Sequence, residues 1–307
     1  MNYILFDKNR ESLFPLTYTR PISEIRIGIL TIKEKWSQHL SCLTSTLTED
    51  YLQEKYPLIQ DGDNIYINGS ICPNKKLVIA IQQLGDGEGL YAADELLAYR
   101  NIARQKVSFK EDFTQVQKLW HIFQHNAKEL QADFELLTAG RSSQELSDTN
   151  LVMGSENIFV EEGAKVEGAI LNATTGSIYI GKNAELMEGS IVRGPLAMCA
   201  HSVLKLGAKI YGATTLGPYC KVGGEVNNSV LMGYSNKGHD GFLGNSVLGE
   251  WCNIGADTNN SNLKNNYAEV RLWSEQASRF EKTGLQFCGL IMGDHSKCGI
   301  NTMFNTG

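Results

Sequence analysis

The sequence lacks the features that would place it in several large classes of protein. Its 307 residues include 28 basic and 34 acidic side chains, for a formal net charge of -6. No net basic field attracts a phosphate backbone, which argues against a nucleic-acid binder but leaves room for a local basic pocket. The N-terminal MNYILFDKNRE has an apolar run of only four residues, too short for a signal peptide or a membrane anchor. We therefore expect a cytoplasmic protein with no membrane partner.

Cysteine and histidine are also scarce. The 7 cysteines are odd in number, and no two have the Cys-x-x-Cys spacing of a zinc or redox site. Buried free thiols in a reducing compartment fit this pattern. Only 6 histidines occur, and one of them, His239, lies in the polar, glycine-rich stretch SNKGHDGFLGN. A histidine in that setting is a candidate for chemistry.

The chain changes character near Gly154. Before it, NYILF, NIYING and KLVIAI have the composition of short strands, whereas TIKEKWSQHL has the apolar spacing of a helix. Residues 120–140 have the pattern of one or two helices that end at a glycine. We predict an α/β domain over residues 1–118, a helical connector over 119–153 and a different domain over 154–307.

Apolar residues recur every six positions in the second half. Eight consecutive positions keep the interval: Ile180, Leu186, Val192, Met198, Leu204, Ile210, Leu216 and Val222. This period is typical of a solenoid in which each short strand supplies one inward side chain. Three hexads make one triangular coil, so every third anchor stacks in one file. We predict that Leu186, Leu204 and Val222 form such a file in the core.

The repeat has an interruption and an open end. The interval resumes at Phe242, Leu248 and Ile254 after a gap around residues 223–241. Functional loops often leave a solenoid where its repeat is broken, so this gap is a candidate site. The sequence stops at CGINTMFNTG without a polar cap, and we expect further coils beyond Gly307.

His239 lies near the end of this gap. A neutral imidazole can take a proton from a nucleophile at pH 7, and the flanking glycines would let a ligand approach the backbone. Asn253 and Asn262 should fall on neighbouring coils, near the same edge, where amides bind a ligand or stack in ladders. Two alternatives stay open at this point. His239 can be a corner histidine without chemistry, and His295, in MGDHSKCG, is a second candidate base.

A longer motif surrounds this histidine. FLG begins three residues after His239, and NIGADT from Asn253 and then Asn262 follow it. The stretch resembles the acetyltransferase part of the bifunctional enzymes that join an N-acetylglucosamine-1-phosphate uridylyltransferase to a glucosamine-1-phosphate acetyltransferase. The resemblance implies a hexapeptide-repeat, left-handed parallel β-helix, acetyl-CoA as co-substrate and sites between the subunits of a homotrimer. This chain differs in having Phe242 where the family has tyrosine, and NLKNN in place of NYDG.

The resemblance also implies roles for single residues. His239 would be the general base, and Lys205, in KLGA like the family's RPGA, a phosphate-binding cation. His295 aligns with a corner asparagine of related nucleotidyltransferase–acetyltransferases, which favours His239 as the base. Other motif positions would contact the sugar phosphate or the acetyl-CoA: Phe242, Asn253, Asn262, Gly255, Ala256 and Lys264.

A second motif lies near the N-terminus. In LFPLTYTRPISEIR, four residues match the opening G-x-G-T-R-x-x-P-L-T-x-x-x-P-K of the sugar nucleotidyltransferases: Pro15, Leu16, Thr17 and Pro21. The resemblance implies a reduced nucleotidyltransferase-like α/β domain. The glycine loop that cradles phosphate in that family is DKNRES here. Candidate nucleotide or phosphate contacts, alternatively solvated or structural positions, are Arg10, Thr17, Arg20 and Asn68.

Nucleotidyl transfer in that family uses Mg²⁺, and the metal ligands stay unassigned in this sequence. The Gly-Asp that binds the ion corresponds to Gly69-Ser70, which has no carboxylate. The remaining candidates are Asp7, Asp61 and Asp63. The losses leave open whether this half still transfers nucleotides.

Together the two resemblances predict a transferase of UDP-N-acetylglucosamine synthesis. The β-helix would move an acetyl group from acetyl-CoA to the amine of glucosamine-1-phosphate, with His239 taking the amine proton. The N-terminal half would add a uridylyl group from UTP to a sugar-1-phosphate. The alternative is a sugar-nucleotide-binding or scaffold protein without catalysis.

Overall fold

The computed structural model describes all residues from Met1 to Gly307. The chain forms two compact units, residues 1–25 with 30–118 and residues 26–29 with 119–307. They are called here the α/β unit and the β-helix unit. None of the helices has both the length and the apolar character needed to cross a membrane.

The α/β unit is built on a mixed six-stranded sheet. Its strands in spatial order are Ser45–Leu47, Asn2–Phe6, Asn64–Asn68, Glu95–Arg100, Glu88–Ala92 and Gln105–Ser108. The first three run parallel, and the third and fourth pair antiparallel. A separate pair joins Ile71–Cys72 to Thr114–Gln115. The predicted strands NYILF and NIYING are thus confirmed, and their central residues are buried.

Three α-helices and two 3-10 helices complete this unit. They are α1 (Ile32–Leu40), α2 (Asp50–Gln53) and α3 (Lys75–Gln82), with Arg10–Leu13 and Ile22–Glu24 as 3-10 helices. A capping box starts α1, because Thr31 and Glu34 each accept a hydrogen bond from the other's backbone N–H. The predicted helix TIKEKWSQHL is confirmed.

The prediction of a strand at KLVIAI is wrong, because this segment lies in helix α3. Its buried residues Leu77, Val78 and Ile81 have helical spacing, while Ile79 is exposed. The Asn74 side chain caps the helix by accepting from the Leu77 N–H at 3.0 Å. The cap and the one-sided burial outweigh the strand propensity of a short run of valine and isoleucine.

The β-helix unit contains α4 (His121–Thr138) and then winds into three parallel sheets. The first face comprises Ile158–Val160, Ile178–Ile180, Leu196–Met198, Thr214–Leu216, Val230–Gly233, Val247–Glu250 and Ile291–Met292. The second face comprises Lys165–Val166, Glu185–Leu186, Val203–Leu204, Lys221–Val222 and Asn236–Lys237. The third face comprises Leu151–Met153, Ile170–Asn172, Ile191–Arg193, Lys209–Tyr211, Glu225–Asn227 and Phe242–Gly244. Neighbouring strands on every face pair in parallel, as a solenoid requires.

The inward side chains form the core that the six-residue interval predicts. Leu186 pairs with Leu204, which pairs with Val222, and all three are buried. The single file is confirmed, and so is the fold class of an α/β domain followed by a β-helix. The 7 cysteines are all free thiols, five of them buried, whereas Cys42 is exposed and Cys298 half-buried.

The predicted gap is a shortened coil. Val222 pairs with Lys237 in register, so the winding continues through residues 223–241 with fewer residues per turn. The next inward position on the third face is Leu243, which pairs with Val226. Phe242 is half-exposed beside it, and its prediction as an inward anchor is wrong. Leu248 and Ile254 are buried in the core as predicted, but Leu243 and Leu248 are only five positions apart, so counting back six from Leu248 reaches Phe242 instead of Leu243.

Corner residues between the first and second faces carry stacked rings. The ladder consists of His201, Tyr219, Tyr234, Trp251 and His295. Their ring centroids are 4.7 to 6.4 Å apart, and every member has a positive φ between 53° and 60°. His295 therefore occupies a turn of the solenoid, in contact with the Trp251 ring.

The last coils contain a long excursion. Beyond Asn259–Asn260 the chain leaves the solenoid and forms an antiparallel hairpin of Arg271–Ser274 and Arg279–Lys282. It returns at Ile291–Met292, which pairs with the strand that begins at Val247. The remaining elements are the strand Met303–Phe304, paired with Asn259–Asn260, and the 3-10 helix Ser155–Asn157.

Residues 26–29 belong to the β-helix unit, although the chain on both sides belongs to the other. The Arg26 guanidinium donates to the Met232 carbonyl at 3.1 Å and to the Ile29 carbonyl at 2.5 Å. Asn126 of α4 accepts from the Gly28 N–H at 2.7 Å, and Thr215 donates to the Gly28 carbonyl at 2.8 Å. These buried bonds tie the segment to α4 and the first face.

Candidate functional site

One corner between the second and third faces is shortened. Inward residues are six positions apart across 204–210 and 237–243, but only four across 222–226. Gly223 and Gly224 form the whole of the short turn. Where two residues are missing, a notch of about 700 Å³ opens, a volume ordinary for small-molecule sites. It is lined by Met187, Lys205, Leu206, Gly223, Gly224, Gly238, His239, Asp240, Ala256 and Asp257.

Three residues singled out from the sequence meet in this notch: Lys205, His239 and Ala256. The His239 side chain is exposed and makes no hydrogen bond within the chain. The Lys205 ammonium also has no ion pair, and it lies two coils before the histidine. The notch thus combines a proton acceptor that solvent reaches with a cation that remains available to an anion.

Two carboxylates in the notch were missed by the sequence analysis. Asp240 follows the histidine directly, and Asp257 projects from the following coil, its N–H donating to the Asp240 carbonyl at 3.1 Å. Both side chains are exposed. They give the notch negative charge beside Lys205, so it can hold a cationic and an anionic group of one ligand. Only the register of the coils, which the sequence did not reveal, brings Asp257 here.

The glycines around His239 serve the packing of the coils. A Cβ at Gly224, where φ is +70°, would lie 2.8 Å from the His239 carbonyl oxygen. One at Gly238 would lie 2.8 Å from the Asn236 side chain, and Gly241 approaches the Thr258 carbonyl closely. The atoms nearest these glycines belong to the chain itself. Close packing of the coils therefore explains why glycine is present here, without the ligand approach that the sequence predicted.

The two predicted asparagines lie apart. Asn253 is on the outer surface of the second face, where it accepts from Asn236 at 3.0 Å. Asn262 donates to Asn245 at 2.8 Å, at the corner between the third and first faces. Both therefore form ladders between coils. Asn262 does not share the edge of His239, contrary to the expectation, because the coil brings it to a different corner.

The remaining motif residues also have structural surroundings. A Cβ at Gly255 would overlap the carbonyl of Gly299 in the next coil, so close stacking requires glycine there. Lys264 lies in the excursion and donates to the Glu269 carbonyl at 3.1 Å. The Phe242 ring lies against Gly244, as does the Asn262 amide, on the outside of the third face. Neither Phe242 nor Lys264 lines the notch.

Two of the predicted phosphate contacts bond to each other in the α/β unit. Arg10 is buried and donates to the Thr17 carbonyl at 2.5 Å and to the Tyr51 hydroxyl at 2.8 Å. Thr17 donates its hydroxyl to the Arg10 carbonyl at 2.8 Å. Arg20 is also buried. These side chains order the segment that follows the first strand, and burial turns them away from solvent.

Asn68 lies in a polar network at the carboxyl end of its strand. It is buried and donates to Glu95 at 3.2 Å. Glu95 also accepts from Lys8 at 2.9 Å, and both of these side chains are partly exposed. In open α/β sheets, ligands bind beyond the carboxyl ends of parallel strands. The sequence pattern selected Asn68 but missed Lys8 and Glu95, which lie closer to solvent.

The three aspartates considered for Mg²⁺ do not form a metal site. Asp7 accepts from the Ile22 N–H at 2.8 Å and from the Thr48 hydroxyl, and burial raises its pKa. Asp63 accepts from Arg100, a bond that lowers the pKa of this carboxyl. No group of three or more His, Cys, Asp or Glu side chains is placed to hold a metal ion. The three aspartates therefore do not form a cluster that would hold Mg²⁺ by protein side chains alone.

Comparison with known families bears on the first half of the chain. Residues 3–142 match the family model described as sugar nucleotidyl transferase. The match ends before the first strand of the β-helix at Leu151, so it covers the sheet, the helices and little else. The predicted sugar-nucleotidyltransferase-like N-terminal region is confirmed at this level. No curated protein matches the sequence.

Proposed function

We propose that the β-helix unit transfers an acetyl group from acetyl-CoA to the amine of an amino-sugar phosphate, with glucosamine-1-phosphate as the acceptor. The supporting observation is the notch, where the exposed imidazole of His239 and the unpaired ammonium of Lys205 face one cavity. An amino-sugar phosphate carries an amine and a phosphate on one small ring. The notch offers a proton acceptor for the first and a cation for the second.

The chemistry follows from these groups. The substrate amine attacks the thioester carbonyl of acetyl-CoA, and His239 takes the proton that the amine loses. The tetrahedral intermediate collapses to the amide, and the coenzyme A sulfur leaves and receives the proton from the imidazolium. Lys205 binds the phosphate, and Asp240 and Asp257 attract the substrate as its ammonium form, which loses one proton to solvent before the neutral amine attacks. No covalent enzyme intermediate is formed.

The test is thiol release from acetyl-CoA in the presence of glucosamine-1-phosphate. We expect His239→Ala to lower kcat by roughly 10²- to 10⁴-fold, the usual range for a general base. His201→Ala is the matched control, because His201 is also an exposed corner histidine but lies in the ring ladder. Unchanged turnover in His239→Ala would refute the role of this histidine, and His295→Ala would then be the next variant.

A second function is proposed for the α/β unit on the strength of the family match over residues 3–142. We propose that it binds a nucleoside triphosphate and a sugar-1-phosphate, UTP and N-acetylglucosamine-1-phosphate in the first instance, and transfers the nucleotidyl group. Lys8 and Glu95, at the carboxyl end of the sheet, are the side chains that a nucleotide or sugar can reach. The fit of Mg²⁺ to this unit is not supported, so no step is assigned to it.

Pyrophosphate release from UTP tests this second function. We expect release to require N-acetylglucosamine-1-phosphate and to fall in Lys8→Met, with Lys106→Met, an exposed lysine of the same sheet, as the control. Without release at any divalent-ion concentration, the unit is a binding domain. If neither pyrophosphate nor thiol is released, the scaffold alternative holds. We also propose a homotrimer, which sedimentation equilibrium can measure.

A further inference from the structure

Lys237 interrupts an aliphatic file of the β-helix. Its side chain faces inward between Val222 of the coil before and Ile254 of the coil after, and only 1% of the residue is exposed. From Leu151 onward it is the only charged residue that is buried. Placing an ammonium in an apolar core is unfavourable unless the group gains a hydrogen-bond partner. The position therefore calls for an explanation beyond packing.

The partner of the ammonium is the backbone of the proposed base. Lys237 Nζ donates to the carbonyl oxygen of His239 at 2.7 Å, the one hydrogen bond that either group makes within the chain. In a regular coil the equivalent carbonyl, that of Glu188, accepts from the Gly207 N–H of the coil that follows. Here the following coil donates to the Asp240 carbonyl instead. The lysine supplies, from inside the core, the donor that the His239 carbonyl does not receive from the next coil.

In the rest of the turn, residues 238–241, only the carbonyl groups form hydrogen bonds with neighbouring coils. The Asp240 carbonyl accepts from Asp257 N–H at 3.1 Å, and the Gly241 carbonyl accepts from Glu225 N–H at 3.2 Å. None of the N–H groups of residues 238–241 donates to an atom of the chain. The two ends of a trans peptide point in opposite directions. With the His239 carbonyl turned to the core, the Asp240 N–H is turned outward.

We propose that Lys237 is a positioning residue for the transfer reaction, holding the His239–Asp240 peptide so that the imidazole and the Asp240 N–H both face the notch. The inference rests on the proposed acetyl transfer. The outward N–H is a donor for the oxygen of the tetrahedral intermediate, and a preorganised donor of this kind contributes strongly to catalysis. The charged and titratable groups around this turn are Lys205, His239, Asp240 and Asp257.

The test compares Lys237→Met with the matched control Lys221→Met. Lys221 is one residue before the same file, but its side chain is exposed on the second face. Methionine keeps the length and suits an apolar core, so Lys237→Met should fold with an unchanged or higher Tm. Lys237→Leu, which repeats the residue found at Leu186 and Leu204 of this file, is the second variant. We expect kcat to fall about 10²-fold in both and KM to change little.

A double variant separates positioning from a general structural effect. If Lys237 acts through the His239 turn, Lys237→Met combined with His239→Ala should lose less than the two single losses combined, because the part of the effect that passes through the imidazole is already absent and only the part that passes through the Asp240 N–H remains. Losses that simply add would overturn the proposal, as would an unchanged kcat in both Lys237 variants. Nuclear magnetic resonance relaxation of the Asp240 amide provides a readout that does not depend on activity. Its order parameter should fall in Lys237→Met and stay constant in Lys221→Met.

The two hypotheses fail differently. If the wild-type protein releases no thiol from acetyl-CoA with any amino-sugar phosphate, the proposed function fails. The Asp240 order parameter then decides alone whether Lys237 holds the turn, and an unchanged value in Lys237→Met overturns that role. If the wild-type protein is active and the order parameter falls without loss of kcat, the turn is held by Lys237 but its position does not matter for catalysis, which also overturns the proposal.

Discussion

Val222 and Lys237 are register partners on adjacent strands, so an ammonium directly follows an isopropyl group in one inward file. Burial lowers the pKa of Lys237 to about 8, against the attraction of Asp240 and Asp257. The lysine is stacked directly on Val222, the residue at which the shortened corner of the coil beneath begins. The same side chain, Lys237, therefore lies in the core of the coil, affects its stability and donates a hydrogen bond to the turn of the proposed site.

The lowered pKa predicts a dependence of stability on pH. Because the folded-state pKa is about 8 and the ordinary value is 10.5, the unfolded chain binds more protons between these values. The free energy of unfolding should therefore rise with pH across this window, by an amount on the order of 3 kcal/mol at most. Urea unfolding at several pH values, wild type against Lys237→Met, isolates this contribution. A constant difference between the two proteins would contradict it.

The ring ladder predicts a stabilising role for Trp251. It stacks on Tyr234 at 4.8 Å and on His295 at 6.4 Å. Trp251→Asn keeps a residue that tolerates positive φ and removes both ring contacts, so we expect a loss of about 1–3 kcal/mol. Trp273→Asn is the control, since Trp273 in the hairpin has one ring partner, Phe280. Thermal unfolding measures both, and an equal or larger effect at Trp273 would count against the ladder.

Two glycines with nearly the same backbone angle should respond differently to alanine. Gly207 has φ +68° and open space around it, whereas Gly224 has φ +70° and faces the His239 carbonyl. Each alanine incurs the left-handed backbone cost of about 1–2 kcal/mol. Only Gly224→Ala must also displace the turn above it. We expect the larger loss of stability there, together with a shifted nuclear magnetic resonance signal of His239, and equal losses would exclude the steric contact.

The buried guanidinium of Arg10 predicts that lysine cannot replace it. Arg10 bonds the Thr17 carbonyl and the Tyr51 hydroxyl through one nitrogen and lies over the Phe14 ring at 5.2 Å. Lysine has a single point charge and loses the planar stacking, so Arg10→Lys should cost about 1–3 kcal/mol. Arg104→Lys, at an exposed arginine, should cost almost nothing. Denaturant titrations of both variants check this, and a silent Arg10→Lys would reopen its role in phosphate binding.

The fold could be predicted from the local six-residue periodicity. Which residues meet in the site depends on the register between coils, which that periodicity does not give. The six-residue interval placed Leu186, Leu204 and Val222 correctly because each coil repeats the same hydrogen-bonding step. It failed at Phe242 because a change in coil length is invisible until the pairing is known. Restarting the interval at Leu231 would have placed Lys237 inside. His239 was found from its motif, but no sequence pattern predicts that Asp257 reaches the same notch.

The α/β unit illustrates another limit. KLVIAI has strand composition, yet an asparagine cap and contacts with the rest of the unit make it a helix. The arginine and threonine side chains were predicted as phosphate contacts because they donate hydrogen bonds that anions accept. In the structure, Arg10 and Thr17 donate these hydrogen bonds to each other's carbonyl groups. A sequence shows which groups can bind phosphate. Burial decides whether solvent, and therefore a ligand, can reach them.

The four residues 26–29 have a practical consequence for dissecting the two proposed activities. Neither unit is a continuous stretch of sequence, so a gene divided after residue 118 would strip the second fragment of its bonds to the Gly28 backbone from Asn126 and Thr215. Each lost bond to a buried group costs about 1–3 kcal/mol. Point substitutions, or a fragment supplied with a synthetic peptide that spans these residues, are the sounder means of testing the two proposed transfers separately.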